Sequence, residues 1–244
     1  DAGRCLYEYA QRILALHAEA RQALGQATEQ VTGELRIAAS TIPAEHFLME
    51  LVTEFRKVHP QVHVVADVGD SETVVTAVEH GKATLGIAGR RVAAPWAEYR
   101  LFATDRLVLV IPPDHPWKNV RRVTVEQLRT EPIILRERGS GTRACLERAL
   151  ATRNLTLADL IVCLEVGSNE AVKDAVFRRL GVAVLSIRAV QPELTAGRLQ
   201  EVPIEGLDLT RELYIVTDRR RALPGPARAF MQFLLTHKPD DLPS

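Results

Sequence analysis

The chain has 244 residues, 46% of them hydrophobic and 25% charged, an ordinary globular balance with enough apolar material for a sizeable core. Its 31 Lys and Arg offset its 31 Asp and Glu, which excludes the basic excess usual in a free-standing nucleic-acid binder. No apolar run approaches the roughly 18 residues of a membrane span, and the short basic clusters Arg121-Arg122 and Arg219-Arg220-Arg221 read as solvated loop charge. The chain opens on Asp1 with no signal-like apolar core, so a fragment or processed product is expected. Cys5, Cys145 and Cys163 stand in no ligand spacing, so no metal or cofactor is expected, and reduced thiols in the cytoplasm are the simplest account.

Residues 3–31 carry no Pro and one interior Gly, and Leu6, Ala10, Ile13, Leu16, Ala20, Leu24, Ala27 and Val31 recur in steps of three and four. That spacing places one apolar stripe along one face of a helix, roughly 40 Å long at about 1.5 Å per residue. So long a helix with so narrow a stripe is marginal alone, and residues 1–32 are expected to form a linker helix that pairs with its own copy.

Gly33 ends that pattern, and strands then alternate with helices. Strands are expected over 35–39, 62–68 and 83–88, and helices over 43–58, stopped by Pro60, and 71–80, stopped by Gly81. A β-α-β-α-β order argues for a parallel sheet with right-handed crossovers. Two further strands, 99–103 and 107–111, end at Pro112-Pro113. The theme then repeats. Thr124 and Gln127 are spaced as a capping box, followed by a strand at 133–135, a helix over 142–153, a strand at 161–166, a helix over 168–179 and a strand at 182–186. Gly69-Asp70-Ser71 and Gly167-Ser168-Asn169 occupy matching places in the two repeats. A long strand over 209–217 and a closing helix over 226–237 then rejoin the first unit. The expected architecture is α/β with two Rossmann-like lobes: residues 33–115 and 210–240 in lobe I, and 116–209 in lobe II.

Gly139-Ser140-Gly141-Thr142-Arg143 follows a strand and opens a helix. Such a turn offers free backbone N–H groups and hydroxyls to an anion at the positive end of the helix, although a bare Ser/Gly cap would read the same way. Ser40-Thr41 and Gly167-Ser168-Asn169 are also hydroxyl-rich helix mouths after strands. In open parallel sheets ligands sit beyond the carboxyl ends of the strands, so the three mouths suggest one cleft. Enzyme chemistry is not indicated: the seven histidines form no HExxH pair, no Gly-x-Ser-x-Gly elbow is present, and Glu137 and Glu165 have no paired acid nearby.

Several passages resemble the LysR-type family of bacterial transcription regulators, over nearly the whole chain. Leu6-Tyr7-Glu8-Tyr9-Ala10-Gln11-Arg12-Ile13-Leu14 is similar to the start of that family's linker helix, and Gly33-Glu34-Leu35-Arg36-Ile37-Ala38-Ala39-Ser40 to its first effector-domain strand. Phe55 to Val62, with Pro60, resembles its F-x-x-x-x-P-x-V passage, and Leu107-Val108-Leu109-Val110-Ile111-Pro112 with His115-Pro116 its L-x-L-V-x-P-x-x-H-P passage. Two passages depart from the pattern: Thr84 or Gly86 stands where Asp is usual, and Ser186 replaces the usual Pro after Leu180-Gly181-Val182-Ala183-Val184-Leu185. The run from Arg136 to Arg143 resembles the branch that regulates carbon fixation and sulfur or selenium metabolism.

The resemblance implies an effector domain with the fold of type II periplasmic binding proteins, and an N-terminal winged helix-turn-helix that would carry DNA binding and is missing from this chain. It also implies a homodimer or homotetramer in which the helices 44–58 and 168–179 face each other between antiparallel subunits. The branch implies a small anionic effector. The expected contacts are Ser40, Thr41, Ser140, Thr142 and Asn169 through side chains, and backbone N–H groups near Ile42, Gly141 and Ser168. Gly89 would leave room, and Arg136 or Arg143 would supply charge, with the choice between them open. The rivals are a periplasmic solute-binding protein of the same fold, which needs no long first helix, and a transferase or deaminase on that fold, which needs an acid–base pair.

With zero net charge and no helix-turn-helix, the 244-residue chain should give no sequence-dependent gel shift with duplex DNA at physiological salt, because such binding needs many phosphate contacts and base readout.

Overall fold

The structure is a computed structural model that describes residues 3, 6, 7, 9–11, 13–16 and 31–237. The described residues between 3 and 16 are helical, and Leu6, Ile13 and Leu16 of the predicted stripe are exposed. Ala20, Leu24 and Ala27 lie outside the described residues. Val31, placed on the stripe by its spacing, is not helical; it packs against the core of the first lobe.

Strand β1 (Gly33–Ser40) is followed by α1, built of Thr41–Pro43, a π-helical turn Ala44–Leu48 and Met49–Val58. Then come β2 (Val62–Gly69), α2 (Ser71–Glu79), β3 (Leu85–Ala88) and β4 (Ala97–Ile111). Strand β1 pairs in parallel with both β2 and β3, so it lies inside the sheet, and Leu35, Ile37 and Ala39 are buried on it. Helix α1 presents Phe47, Leu51 and Phe55 to one face of this sheet, where Phe230 of the last helix meets Phe55 edge-on at 5.0 Å. Val74, Val75 and Val78 of α2 cover the other face with Trp96. Gly86 belongs here because a Cβ on it would meet Val216 at 2.5 Å.

The second lobe contains α3 (Val125–Leu128), β5 (Pro132–Arg136), α4 (Gly141–Ala151), β6 (Ile161–Val166), α5 (Asn169–Phe177), β7 (Val182–Ser186), α6 (Ile187–Thr195) and β8 (Gln200–Val202). The capping box at α3 forms as its spacing predicts, with Thr124 N donating to Gln127 Oε1 at 2.8 Å and Gln127 N to Thr124 Oγ1 at 3.2 Å. Helix α4 packs on one face of the sheet and α5 and α6 on the other. Strand β9 (Thr210–Asp218) then returns to the first lobe, and α7 (Gly225–Thr236) closes it.

The strand order is β2-β1-β3-β9-β4-β7-β5-β6, with β8 also on β4. Strand β4 runs through both lobes. From Ala97 to Arg106 it pairs antiparallel with β9, and from Leu107 onward it pairs with β7 and β8. The two strands expected at 99–103 and 107–111 are therefore one, bulged between Leu101 and Ala103. Leu107 to Ile111, read as part of the first unit, pairs in the second. The break in the apolar pattern at Thr104-Asp105-Arg106 comes from Asp105, which is buried against an arginine on β9. Helix α6 and β8 were not expected. Pro192 inside α6 removes a helical N–H and reads in the sequence as a breaker. No helix among the described residues is long and apolar enough to cross a membrane.

Candidate functional site

The carboxyl ends of β1, β3 and β5 meet the first turns of α1, α2 and α4 in one place between the lobes. Ser40, Thr41, Ile42 and Gly89 line it from the first lobe, and Arg136, Ser140, Gly141 and Thr142 from the second. The sequence had singled out all eight. The lobes touch closely here: a Cβ on Gly141 would lie 2.8 Å from the Gly89 carbonyl oxygen, so only glycine allows this approach. The cavity left between them is about 10 Å³, room for about one water.

The hydroxyls at the helix mouths differ in what they do. Ser140 Oγ accepts from Thr142 N at 3.2 Å and Ser168 Oγ from Ala171 N at 3.1 Å, so both cap their helices. Ser168 is exposed and lies outside the lining of the cleft, which leaves it the cap alone. Ser40, by contrast, is buried and makes no capping bond to α1. Its hydroxyl and the first N–H groups of that helix face the cleft without the usual local partnership.

The arginine left open by the sequence is resolved by geometry. Arg136 points into the cleft. It donates to both oxygens of Glu137 at 2.8 and 2.9 Å, to Asn169 Oδ1, and at 3.4 Å to Thr41 Oγ1 across the lobe boundary. Asn169 thus reaches the site through Arg136, and its amide also approaches Glu45 of α1 at 3.5 Å. Arg143 turns the other way, to Glu165 at 2.8 Å and Glu147 at 3.0 Å. Burial acts to lower its pKa, and the two carboxylates outweigh that and raise it. Nearby on α1, burial lowers the pKa of His46 against an opposing pull from Glu45, and its Nε2 has no hydrogen-bond partner.

Sequence reasoning missed four lining residues: Asp70, Ser71, Glu137 and Arg211. Asp70 caps α2 by accepting from Thr73 N at 2.7 Å, and Ser71 Oγ accepts from Gly89 N at 3.1 Å. Their place in the repeat shared with Gly167-Ser168-Asn169 was the available signal. Arg211 had none, because the polar start Thr210-Arg211-Glu212 of β9 reads as a solvated strand end, and its inward direction is set by distant pairing. It faces Asp105 directly across the β4/β9 ladder. Its Nε and Nη2 donate to Asp105 Oδ2 at 2.9 and 2.7 Å, and its Nη1 to Thr142 Oγ1 at 3.1 Å. Ser186 donates to the other Asp105 oxygen at 2.7 Å. The two side chains are 4% and 0% exposed. Among the described residues no group of His, Cys, Asp and Glu could hold a metal ion.

Comparison with known proteins places this arrangement. The family model described as LysR substrate binding domain matches residues 28–239. An uncharacterized HTH-type transcriptional regulator of Methanocaldococcus jannaschii, MJ0300, is 34% identical over 95% of this chain and 78% of its own length. The RuBisCO operon transcriptional regulator of Allochromatium vinosum is 32% identical over 97% of this chain and 77% of its own. Among solved structures, the CcmR regulatory domain of Synechocystis PCC6803 in complex with 2-PG superposes with a TM-score of 0.76 and 26% identity, over 84% of this chain and 97% of that one.

Asp105→Ala would leave the Arg211 guanidinium buried without a counterion. Urea unfolding should show a loss of about 3–5 kcal/mol. The paired replacement Asp105→Leu with Arg211→Met should recover at least half of it, and equal losses in the single and the double variant would refute this account of the pair.

Proposed function

The chain belongs to the LysR family of transcription regulators, and from that membership we propose that it senses a small carboxylate or oxyanion metabolite held between its two lobes. It has the mixed α/β architecture of that family's effector-binding domains, the type II periplasmic-binding-protein fold. On this reading it works in the cytoplasm, catalyses no reaction, and controls DNA that a separate N-terminal domain of the regulator contacts.

The observation that carries the reading is Ser40. It is a buried hydroxyl at a helix mouth that makes no cap, set in the same cavity as Thr142 and two buried arginines. An anion there would take hydrogen bonds from Ser40, Thr41 and Thr142 and from the first N–H groups of α1 and α4, with Arg136 and Arg211 supplying charge. Since the present cavity holds about one water, binding requires side chains to withdraw or lobes to part. The hinge is strand β4, which runs through both lobes, together with the chain that re-enters the first lobe at β9. The ligand then biases the regulator only by its differential affinity for the two arrangements.

The proposal extends to assembly. Strands β2 and β6 are the two ends of the sheet, and open strand edges invite pairing. Exposed apolar side chains flank them: Met49 and Val58 of α1, Val68 of β2, and Ile161 and Leu180 beside β6 and α5. Juxtaposing the α1 edge of one copy with the α5 edge of another covers both, and the helical stripe at Leu6, Ile13 and Leu16 adds a second contact.

Two outcomes follow. In a calorimetric screen of small anions that begins with 2-PG, Thr142→Ala and Ser40→Ala should each weaken binding by about tenfold to a hundredfold, since a hydrogen bond to a charged group is worth about 1.5–3 kcal/mol; parental affinity in both variants would refute the site. Sedimentation at micromolar concentration should show dimers or larger species, and a pure monomer would refute the assembly.

A further inference from the structure

Glu137 stands apart from the other side chains of the cleft. Its side chain is 30% exposed, whereas that of its partner Arg136 is 3% exposed. Arg136 Nε and Nη2 meet its two carboxylate oxygens side by side, at 2.8 and 2.9 Å. This is the forked geometry in which a guanidinium receives any carboxylate or phosphate. Neighbouring residues of an extended strand point to opposite faces. The two side chains meet because β5 ends at Arg136 and the chain turns at once, with Ser140 N donating to Glu137 O at 3.0 Å. Asn169 Oδ1 accepts from Nη1 of Arg136, while Thr41 Oγ1 and Gly167 O, each at 3.4 Å, share the remaining N–H of Nη2. The anionic partner of this buried guanidinium is therefore a partly water-facing side chain of its own chain.

We infer that Glu137 occupies the effector's anion subsite from within: an incoming carboxylate or phosphate replaces it on Arg136, and Glu137 moves out to solvent. The inference rests on the reading of this cleft as the effector site. The exchange is one anion for another on one cation, so the net charge of the buried fork is unchanged. The ligand's advantage comes from the bonds it adds at Ser40, Thr41 and Thr142. A neutral ligand would leave Arg136 without a counterion, so the device selects for anions. It also ties binding to the lobe seam. Glu137 begins the turn whose Gly139 lies so close to Asp70 that a Cβ would overlap that carboxylate, and whose Gly141 abuts Gly89.

An internal competitor lowers apparent affinity by the fraction of molecules in which the subsite is free. Glu137→Gln keeps the shape and removes the competing charge. Titrated with inorganic phosphate and with malonate, Glu137→Gln and Glu137→Ala should each bind at least one of the two probes about tenfold more tightly than the parent. Adding Arg136→Gln to either variant should abolish the gain. Phosphate should also raise the melting temperature of Glu137→Gln more than that of the parent. A merely structural role for Glu137 predicts the opposite, weaker binding in both variants. Unchanged or weaker binding in both, with Ser40→Ala and Thr142→Ala still impaired, would overturn this inference and leave the site reading intact. If neither phosphate nor malonate binds the parent or either variant, the two fall together.

Discussion

The junction of the lobes is organised around one buried ion pair. Asp105 and Arg211 lie opposite each other on β4 and β9, and neither side chain reaches water to any extent. Charges in such a place are tolerated only with good geometry and with their remaining lone pairs and protons used. Here Ser186 takes one free oxygen of Asp105 and Thr142 one N–H of Arg211. A slip of one residue in the ladder would set Asp105 against Glu212, a carboxylate facing a carboxylate, or against Thr210, with no cation to meet it. The pair thus favours the register of β9 on β4, the strand that runs through both lobes. Ser186 contributes a hydroxyl that a proline at this position would lack.

The same pair reaches the cleft. Thr142 opens α4 and lines the cavity, and its hydroxyl is held by the guanidinium that Asp105 orients. Changing how the second lobe meets the first must therefore change the bonds of a buried cation. Across the cleft, Arg136 plays a matching part from β5, reaching Thr41 of the first lobe while held by Glu137 and Asn169. Each arginine has a carboxylate on one side and a helix-mouth hydroxyl on the other.

How much of this was legible depended on range. The capping box at Thr124 and Gln127, the alternation of strands and helices, and the hydroxyl-rich mouths at Ser40, Ser140 and Ser168 are local, because capping and periodicity act within a few residues. The same locality misled at Asp105 and at Pro192. A buried carboxylate inside a strand reads as a break unless its partner, 106 positions away, is known. A proline inside a helix reads as an end, although Val190 before it and Leu194 after it pack into the same core.

The sequence by itself determined the two-lobed α/β class, the family, and eight of the residues that line the cleft. These are carried by periodicity, helix caps and motif order, each of which is written in neighbouring residues. Only the tertiary structure decided that Arg136 faces inward while Arg143 turns to Glu165, that Ser168 is a cap and Ser40 is not, and that Arg211 and Glu137 belong to the site. The physical reason is that a side chain's direction at a strand end, and the partner that neutralises a buried charge, are set by pairing between distant strands and by the closeness of two lobes at Gly89 and Gly141.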